Sequence, residues 1–385
     1  MENKLQTYLI KARRFLHEHA EIGFDLTKTT SFVKEQLTQM GYTPKACGKS
    51  GVIATLGERT EKCILLRADM DALPMREKTG LAFACKGGNM HACGHDMHTA
   101  MLLGAAKILK DKNLKGSVKF LFQPAEEILQ GASDTLQHGA LEEPRPQAAL
   151  ALHVSTGTSL PSGTAVLSTR EISAPAADYF RIIVKGKSCH GSTPEKGIDA
   201  LTAAAHILLG LQSLSAREMA VDDPFVLTVG KMQAGSAGNA MPDQAEMQGT
   251  LRAYNETTRE RVKTRLTEIV KTQAKAFRAT AKVTFEGGCP TLKNDLELAT
   301  FVKERAEKLL GKDKVFTTDG RGGGSEDFAY ISHELPSVLL VLSAGEIKEG
   351  YRYPLHHPKT AFDESVLSLG SKLYAHIAEE WLANR

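Results

Sequence analysis

The chain has 385 residues, of which 42% are hydrophobic and 24% are charged, the composition of an ordinary soluble globular protein. Its formal net charge of +3 is small for this length and no basic run stands out, so nothing favours a nucleic-acid partner. The length suits two domains. The first residues hold no apolar core of a secretory signal, and no later stretch reaches the length of a membrane span, which predicts a cytoplasmic protein without a membrane partner.

The first part of the chain is predicted to alternate helix and strand. Its opening helix is rich in charge, and we expect these charges and His17 to form an ordinary surface. Strands that are buried on both faces lose their polar alternation, so short apolar runs predict a mostly parallel, covered sheet in an α/β fold. Such runs lie at 63–66, 118–122, 148–152 and 338–342.

Acidic or imidazole residues follow each apolar run, and those that follow the last run lie in the loop after it. They are Asp69 and Asp71, Glu126 and Glu127, His153, and the pair His356 and His357. In parallel sheets, ligands bind beyond the carboxyl ends of the strands. We therefore expect these side chains to converge on one crevice.

The segment Met90–His98 reads MHACGHDMH and concentrates thiol and imidazole groups. Cys93 stands two residues before His95, a spacing at which both side chains face the same way along extended backbone. Thiolate and imidazole are preferred ligands of zinc and related metals, so the segment predicts one edge of a metal site. A buried cysteine beside surface histidines is the alternative. The six cysteines form no CxxC pair, and we expect free thiols with Cys93 the one candidate ligand.

After a run of small residues at 173–177, the order of the predicted helices and strands changes. The elements predicted after it are a strand at 179–184, a helix at 198–214, strands at 225–229 and 247–254, a helix at 259–277 and a strand at 283–286. This βαββαβ order predicts a ferredoxin-like domain at 177–289, inserted into a catalytic domain of residues 1–176 and 290–385. Helices are predicted to resume at 296–310 and to end with one running from Asp363 towards Trp381.

As a set, these segments resemble the amidohydrolase branch of the dinuclear metal aminoacylase and carboxypeptidase family, which includes hippurate hydrolase, auxin-conjugate hydrolases and N-acetyldiaminopimelate deacetylase. The matching stretches are 67–74, 90–104, 123–127, 190–197, 324–328 and 355–358. They span nearly the full length in the family's order. The resemblance implies two divalent metal ions per subunit, zinc, manganese, cobalt or nickel, and an inserted lid domain.

The resemblance also implies roles for single residues. The implied metal ligands are Cys93, His95, Glu127, His153 and His356. His356 is preferred to His357 because the family has a histidine two places before this proline. Glu126 is the implied base, which takes a proton from water and passes it to the departing amine. Asp71 would orient a ligand histidine, and Asp69, which replaces a metal-binding histidine of peptidase relatives, would either bind metal or end its strand.

In the inserted domain the resemblance assigns His190 to the oxyanion and Asn239 and Arg252 to the substrate. A guanidinium suits a free carboxylate because it can donate two parallel hydrogen bonds. Cys189 stands where relatives usually carry a small residue. Relatives commonly dimerise through this domain, so we expect a homodimer in which His190 serves the partner's site.

The predicted function is hydrolysis of the amide bond of a small-molecule N-acyl amino acid, which releases a carboxylic acid and a free amino acid. A dipeptidase or carboxypeptidase on the same scaffold is the alternative. A rival mechanism makes Cys93 a nucleophile with His95 as its base. A non-catalytic binding protein is a further alternative, but such a relative should lose the base or ligands, which this chain keeps.

Overall fold

The computed structural model of the protein describes residues 2–57 and 62–384. The chain divides into two compact units. We call Met1–Ser173, Lys293–Arg321 and Glu326–Arg385 the large unit, and Ala174–Leu292 with Gly322–Ser325 the inserted unit. Within the described residues, no helix combines the length and apolar character needed to cross a membrane.

The secondary structure follows the chain in three stretches. The first comprises α1 (Glu2–Glu18), α2 (Thr27–Gln39), β1 (Lys45–Cys47), β2 (Gly51–Leu56), β3 (Cys63–Asp69), α3 (His95–Leu109), β4 (Ser117–Gln123), α4 (Gly131–Gln137), β5 (Ala148–Ser155), β6 (Ala165–Ser168) and β7 (Ile172–Ala174). The second comprises β8 (Ala176–Lys185), β9 (Cys189–His190), α5 (Ala200–Ser213), β10 (Phe225–Ala234), β11 (Ala240–Met241), β12 (Gln244–Ala253), α6 (Glu256–Ala276) and β13 (Thr280–Cys289). The third comprises β14 (Leu292–Lys293), α7 (Leu296–Leu310), β15 (Val315–Thr318), α8 (Ala329–Ser332), β16 (Ser337–Ser343) and α9 (Leu367–Asn384).

The large unit is built on a sheet of order β1-β2-β4-β3-β5-β16-β6-β15. Its central strands β4, β3, β5 and β16 run parallel to one another, and antiparallel pairs occur only towards the sides of the sheet. Strands β3 and β4 are buried at every position, which explains why their sequences are apolar without alternation. The predicted mostly parallel α/β sheet is confirmed.

The inserted unit contains an antiparallel sheet of order β10-β12-β8-β13 with α5 and α6 packed on one face. Asp199 and Asn255 cap the two helices, because each side chain accepts hydrogen bonds from the first free backbone N–H groups. Strands β8 and β12 alternate buried and exposed positions, as a sheet with one covered face requires. The predicted ferredoxin-like βαββαβ order is confirmed.

The prediction that the charged residues of α1 and His17 form an ordinary surface is wrong for two of them. Arg13 and His17 are each 1% exposed. They lie four residues apart and therefore on one helix face, beside the buried Leu9 and Leu16. Their partner is Asp96 on α3, which accepts hydrogen bonds from both side chains.

The β3–β5 ladder stops before the carboxyl ends of its strands. Its last paired residues are Arg67 and Ala151. Tyr374 of α9 takes over at this point, because its hydroxyl donates to the Arg67 carbonyl at 2.7 Å and accepts from the Leu152 N–H at 2.8 Å. One buried hydroxyl thus satisfies a backbone group on each strand.

Tyr374→Phe should therefore destabilise the protein, because it leaves a buried carbonyl and a buried N–H without a partner. We expect a loss of about 1–3 kcal/mol in the free energy of unfolding. Tyr8→Phe is the matched control, since the buried Tyr8 hydroxyl has no hydrogen-bond partner among the described residues. Urea unfolding of both variants tests this, and equal midpoints would contradict the role of Tyr374.

Candidate metal centre

The segment that carries Cys93 and His95 is a turn followed by a helix. The extended backbone expected between the two residues is wrong, because His95 is the first residue of α3 and Gly94 has φ +88°. A side chain at Gly94 would also meet Val154 Cγ2 at 2.4 Å. The turn nevertheless brings the two donors together, since Cys93, His95 and His153 each place one ligand atom within 4.8 Å of the others.

Two histidines of the centre present a free nitrogen for a metal. His95 Nδ1 donates to the Asp71 carbonyl at 2.8 Å, and His153 Nδ1 donates to the Val154 carbonyl at 2.7 Å. In the neutral form of each ring, this bond keeps the proton on Nδ1 and leaves the lone pair on Nε2. Burial lowers the pKa of His95, but Asp69 and Cys93 outweigh it and raise that pKa well above its usual range, so a metal ion at this ring would take the place of its Nε2 proton. His153 Nε2 lies 3.5 Å from Cys93 Sγ. Burial holds the pKa of His153 at about 4, so its ring stays neutral and able to bind metal.

His98 differs, because both of its ring nitrogens are used. Nε2 accepts from the Val154 N–H at 2.8 Å, so the proton is on Nδ1, which donates to Asp69 Oδ1 at 2.6 Å. The other Asp69 oxygen accepts from Arg67 Nη1 at 2.7 Å. Burial opposes ionisation, but His95 and Arg67 outweigh it and hold the pKa of Asp69 well below its usual range. Asp69 is thus an ionised carboxylate whose two oxygens already accept hydrogen bonds.

Glu126 and Glu127 reach the centre through a tight turn after β4. Ala125 has φ +56°, and the next two N–H groups donate to the Asp71 carboxylate at 2.9 and 3.2 Å. The turn places Glu126 Oε2 and Glu127 Oε1 each 3.9 Å from His95 Nε2. Asp71 was expected to orient a ligand histidine. Its carbonyl oxygen does bind His95, while its carboxylate holds the backbone of the glutamate pair.

His356 supplies the remaining donor. Its Nε2 lies 3.6 Å from Glu127 Oε2, and it forms a candidate ligand group with Cys93 and Glu127. Its φ of +61° is unusual for a residue other than glycine, and such strain is concentrated at functional sites. His357 instead stacks on Tyr353 with ring centroids 4.4 Å apart. Within the described part of the chain, it joins no candidate ligand group.

Carboxyl groups outnumber cations in this interior. The six that are buried or nearly so are Asp69, Asp71, Glu126, Glu127, Glu326 and Asp327. Four of them lie near the Arg67 guanidinium, and a protonated His95 is the second cation of this interior. The carboxyl groups therefore exceed the cations by four (six minus two) when all are ionised. Burial and the neighbouring Glu326 and Glu127 carboxylates raise the pKa of Glu126 well above its usual range. Burial raises the pKa of Glu127 to about 7 despite the opposing effect of His95.

The donor set fits divalent metal ions. Among the described residues, His95 Nε2 and Glu127 Oε1 are buried without any hydrogen-bond partner. An unsatisfied buried polar atom is costly, and these two atoms lie 3.9 Å apart, where one bound ion would satisfy both. Overlapping groups of thiol, imidazole and carboxylate donors provide more than one position for an ion.

Three residues that stabilise this centre were not assigned a role from the sequence. Arg67 donates to Glu326 at 2.9 Å and to Asp327 at 3.0 Å, besides its bond to Asp69. Asp327 also accepts from the Ala132 N–H at 2.8 Å. Arg67 itself was the available sequence signal, because it is a charged residue within the otherwise apolar β3. A buried arginine requires carboxylates around it.

The predicted substrate residues lie in the inserted unit. His190 on β9 pairs with Ala240 on β11, which places it beside Asn239, whose carbonyl accepts from the Gly191 N–H at 2.8 Å. Arg252 lies on β12 with its guanidinium 5.7 Å from the centroid of the Tyr179 ring. The inserted unit therefore brings His190 and Asn239 together, while Arg252 belongs to its main sheet.

Comparisons with known proteins cover nearly the whole chain. Residues 65–380 match Peptidase family M20/M25/M40. The chain belongs to this family. N-acetylcysteine deacetylase of Bacillus subtilis is 35% identical to this M20 protein over 385 residues, which cover 98% of the chain and 97% of the relative. Thermostable carboxypeptidase 1 of Saccharolobus solfataricus is also 35% identical, over 97% of the chain and 95% of the relative.

A solved structure confirms the fold of this M20 protein. It is a Bacillus subtilis protein described as a dinuclear metal binding peptidase from the M20 family. The two chains are 32% identical, cover 100% of each other and align with a TM-score of 0.81. The family predicted from the sequence motifs is confirmed.

The metal centre makes Cys93 a testable ligand. Cys93→Ser should lower the metal content of the purified protein, because an alcohol does not ionise as a thiol does. Cys85→Ser is the matched control, since Cys85 joins no candidate ligand group within residues 2–57 and 62–384. Elemental analysis provides the measurement. Unchanged metal content in both Cys93→Ser and Cys93→Ala would remove Cys93 from the ligand set.

Proposed function

We propose that this protein is a metal-dependent amidohydrolase that cleaves N-acyl amino acids to a carboxylic acid and a free amino acid. The observation that carries the proposal is the buried Glu126, which stands beside candidate metal ligands and has a raised pKa. A carboxyl group of this kind can accept a proton from water and release it again within one catalytic cycle.

The residues proposed to hold two divalent ions are Cys93, His95, Glu127, His153 and His356. When bound, the ions would polarise the scissile carbonyl and make water more acidic. Zinc, cobalt and nickel suit the thiol and imidazole donors, and manganese suits the carboxylates. Asp71 would keep the Glu126–Glu127 turn in place through its two backbone hydrogen bonds.

Glu126 is the proposed general base and acid. It would take a proton from the attacking water and deliver it to the departing amine nitrogen, which leaves as a neutral amine. Arg67, Glu326 and Asp327 would hold the surrounding charges in fixed positions. His190 of the inserted unit is proposed to donate to the oxyanion, and Asn239 and Arg252 to bind the substrate.

The rival mechanism with Cys93 as nucleophile is disfavoured by its environment. Burial raises the pKa of the Cys93 thiol, and it outweighs the opposing effect of His95. The reactive form of a cysteine is the thiolate, so a thiol whose pKa is raised in this way would be a weak nucleophile. A trapped acyl thioester after complete chelation would support the rival.

A carboxypeptidase or dipeptidase remains the second candidate, because one relative carries the name carboxypeptidase. A panel of N-acetyl and other N-acyl amino acids, compared with dipeptides at equal concentration after loading with each metal, separates the two. Higher kcat/KM for the acyl amino acids supports the amidohydrolase.

The location in the cytoplasm and the absence of nucleic-acid and membrane partners stay predictions.

The proposed role of Glu126 predicts the behaviour of Glu126→Gln. The amide is nearly the same size as the carboxyl group but cannot take the proton, so turnover should fall about 10²–10⁴-fold. Metal content should stay unchanged. Steady-state kinetics on the best substrate of the panel and elemental analysis on the same sample measure both. Near-normal turnover in the metal-loaded variant would remove Glu126 from the mechanism.

We also propose that the protein is a homodimer whose inserted units face each other. Strand β10 lies at the edge of its sheet, and Val226 on this strand is 58% exposed. An edge strand with an apolar side chain is a ready surface for pairing with a second copy.

A subunit-mixing experiment tests whether His190 serves the partner's site. Glu126→Gln and His190→Ala subunits, each inactive alone, should recover part of the activity after exchange, since one site of the mixed dimer then has both residues intact. The His190→Ala protein should keep its metal content. If verified exchange restores no activity, His190 acts in its own chain or outside catalysis.

A further inference from the structure

A second polar cluster of the large unit lies beside the segment that carries the metal ligands. Its members are Arg13, His17, Glu77, His91 and Asp96. Each side chain is no more than 1% exposed. Within the described ranges, none of them joins a candidate metal group. The cluster is therefore distinct from the proposed metal centre, although Asp96 directly follows His95.

His17 bridges two carboxylates of this cluster. Its Nδ1 lies 2.8 Å from Asp96 Oδ2, and its Nε2 lies 3.1 Å from Glu77 Oε2. Ionised carboxylates only accept hydrogen bonds, so both ring nitrogens must donate. A ring that donates from both nitrogens is an imidazolium ion.

A neutral His17 fits the contacts less well. In that form Nδ1 would accept from Arg13 Nη2, which lies 3.5 Å away. The lone pair of Nδ1 would then face Asp96 Oδ2 at 2.8 Å, where two acceptors repel. The shorter contact decides in favour of the protonated ring. Arg13 already has a better partner, because its Nε donates to the same Asp96 oxygen at 2.7 Å.

The charges around His17 balance only when it is protonated. Arg13 faces it from the same helix, Asp96 from α3, and Glu77 and His91 from the segment between β3 and α3. The His91 ring lies beside it with centroids 6.2 Å apart. Arg13 and a protonated His17 are then two cations that face the two carboxylates Asp96 and Glu77. Burial disfavours the charged form of His17, but the Asp96 and Glu77 carboxylates outweigh it and raise its pKa.

The remaining charged contacts lie at the edge of the cluster. Glu364 accepts from Arg13 Nη1 at 3.2 Å and from Arg14, which neutralises it from the exposed side of α1. The Phe83 ring packs against His17 with centroids 5.5 Å apart and supplies no charge. Loss of the His17 proton would therefore leave one buried carboxylate uncompensated.

The bridge connects two other segments to the ligand-bearing start of α3. Asp96 belongs to the first turn of α3, next to His95 and three residues after Cys93. Glu77 also accepts from the Cys85 N–H at 3.0 Å and from the Thr79 hydroxyl, which orders the loop between them. Through these bonds α1, the loop 77–85 and the start of α3 are held by one ring.

We propose that His17, as an imidazolium ion, is a positioning residue that fixes the Cys93–His95 segment in its metal-binding geometry. It touches neither metal nor substrate and acts through Asp96. The inference rests on the proposed metal centre, because a ligand segment needs positioning only if it binds an ion. Groups that orient metal ligands through hydrogen bonds contribute about 10–100-fold to metal affinity.

The protonation state is tested first, in wild-type protein labelled with ¹⁵N histidine. At about pH 6.5, the ordinary pKa of histidine, most of the His17 rings should have the nitrogen chemical shifts of an imidazolium. Glu77→Gln removes one facing carboxylate and should move the titration of His17 to lower pH. A neutral His17 ring at that pH, or a titration unmoved by Glu77→Gln, overturns the proposal.

Metal affinity is tested by competition with a chelator, with zinc as the probe. His17→Gln should bind zinc about tenfold or more weakly than wild type. His19→Gln is the matched control, since His19 is half-buried on the same helix and its Nδ1 bonds to the Phe15 carbonyl at 2.8 Å, not to the cluster. Equal affinity in wild type and both variants overturns the positioning role.

Two further outcomes are distinguishable. If wild type itself fails to bind zinc, the proposed metal centre is wrong, and the positioning role is overturned with it. If His17→Gln does not fold, Glu77→Gln replaces it in the competition, since it removes the same bridge from the other side. Wild-type affinity in a folded Glu77→Gln protein would then overturn the proposal.

Discussion

The burial of negative charge at the carboxyl ends of the central strands is the constraint on which this structure depends. Six carboxyl groups share an interior with one arginine, and an isolated ion in such surroundings would be highly unfavourable. The protein offsets part of this charge with hydrogen bonds from backbone N–H groups and from Arg67. The remainder is what makes the site suitable for divalent cations. The same excess of buried negative charge thus explains both the hydrogen bonds that surround these carboxyl groups and the suitability of the site for cations.

Arg67 shows how this constraint links distant parts of the chain. Its guanidinium bonds to Gln123 at 2.9 Å as well as to Asp69, Glu326 and Asp327. The end of β4 and the segment before α8 are thus held to the end of β3. Replacement of such a buried cation would leave several carboxylates uncompensated at once, which is why one side chain can organise two strand ends and a loop.

Much of the architecture could be predicted from the sequence because burial on both faces leaves a simple signature. The apolar runs of β3, β4, β5 and β16 do not alternate apolar with polar residues, and each run is followed by acidic or imidazole side chains. The sheet and its crevice therefore follow from general rules. The inserted unit could be predicted in the same way, because its element order is specific. The local backbone conformation was harder to predict, since Gly94 allows a turn where extended backbone was expected.

Arg13 and His17 have charged side chains, which predict exposure, but their positions along α1 predict burial. Arg13 and His17 fall on the same helical face as Leu9 and Leu16, a spacing that indicates burial. Charged residues are rarely buried unless they are paired, and the partner Asp96 lies far away in sequence. The roles of Glu326 and Asp327 were missed for the same reason. Their partner, Arg67, lies 259 positions before Glu326, with the whole inserted unit between them.

The hydroxyl of Tyr374 has a consequence for how the protein is made. It replaces one rung between β3 and β5, yet it comes from a residue 307 positions after Arg67. Both strand ends, and the side chains Asp69 and His153 that project from them, therefore lack their final support until α9 has been synthesised. Contacts between such distant residues form slowly. During translation, the ion-binding face should be among the last parts of the large unit to reach its final form, after the inserted unit has already left the ribosome.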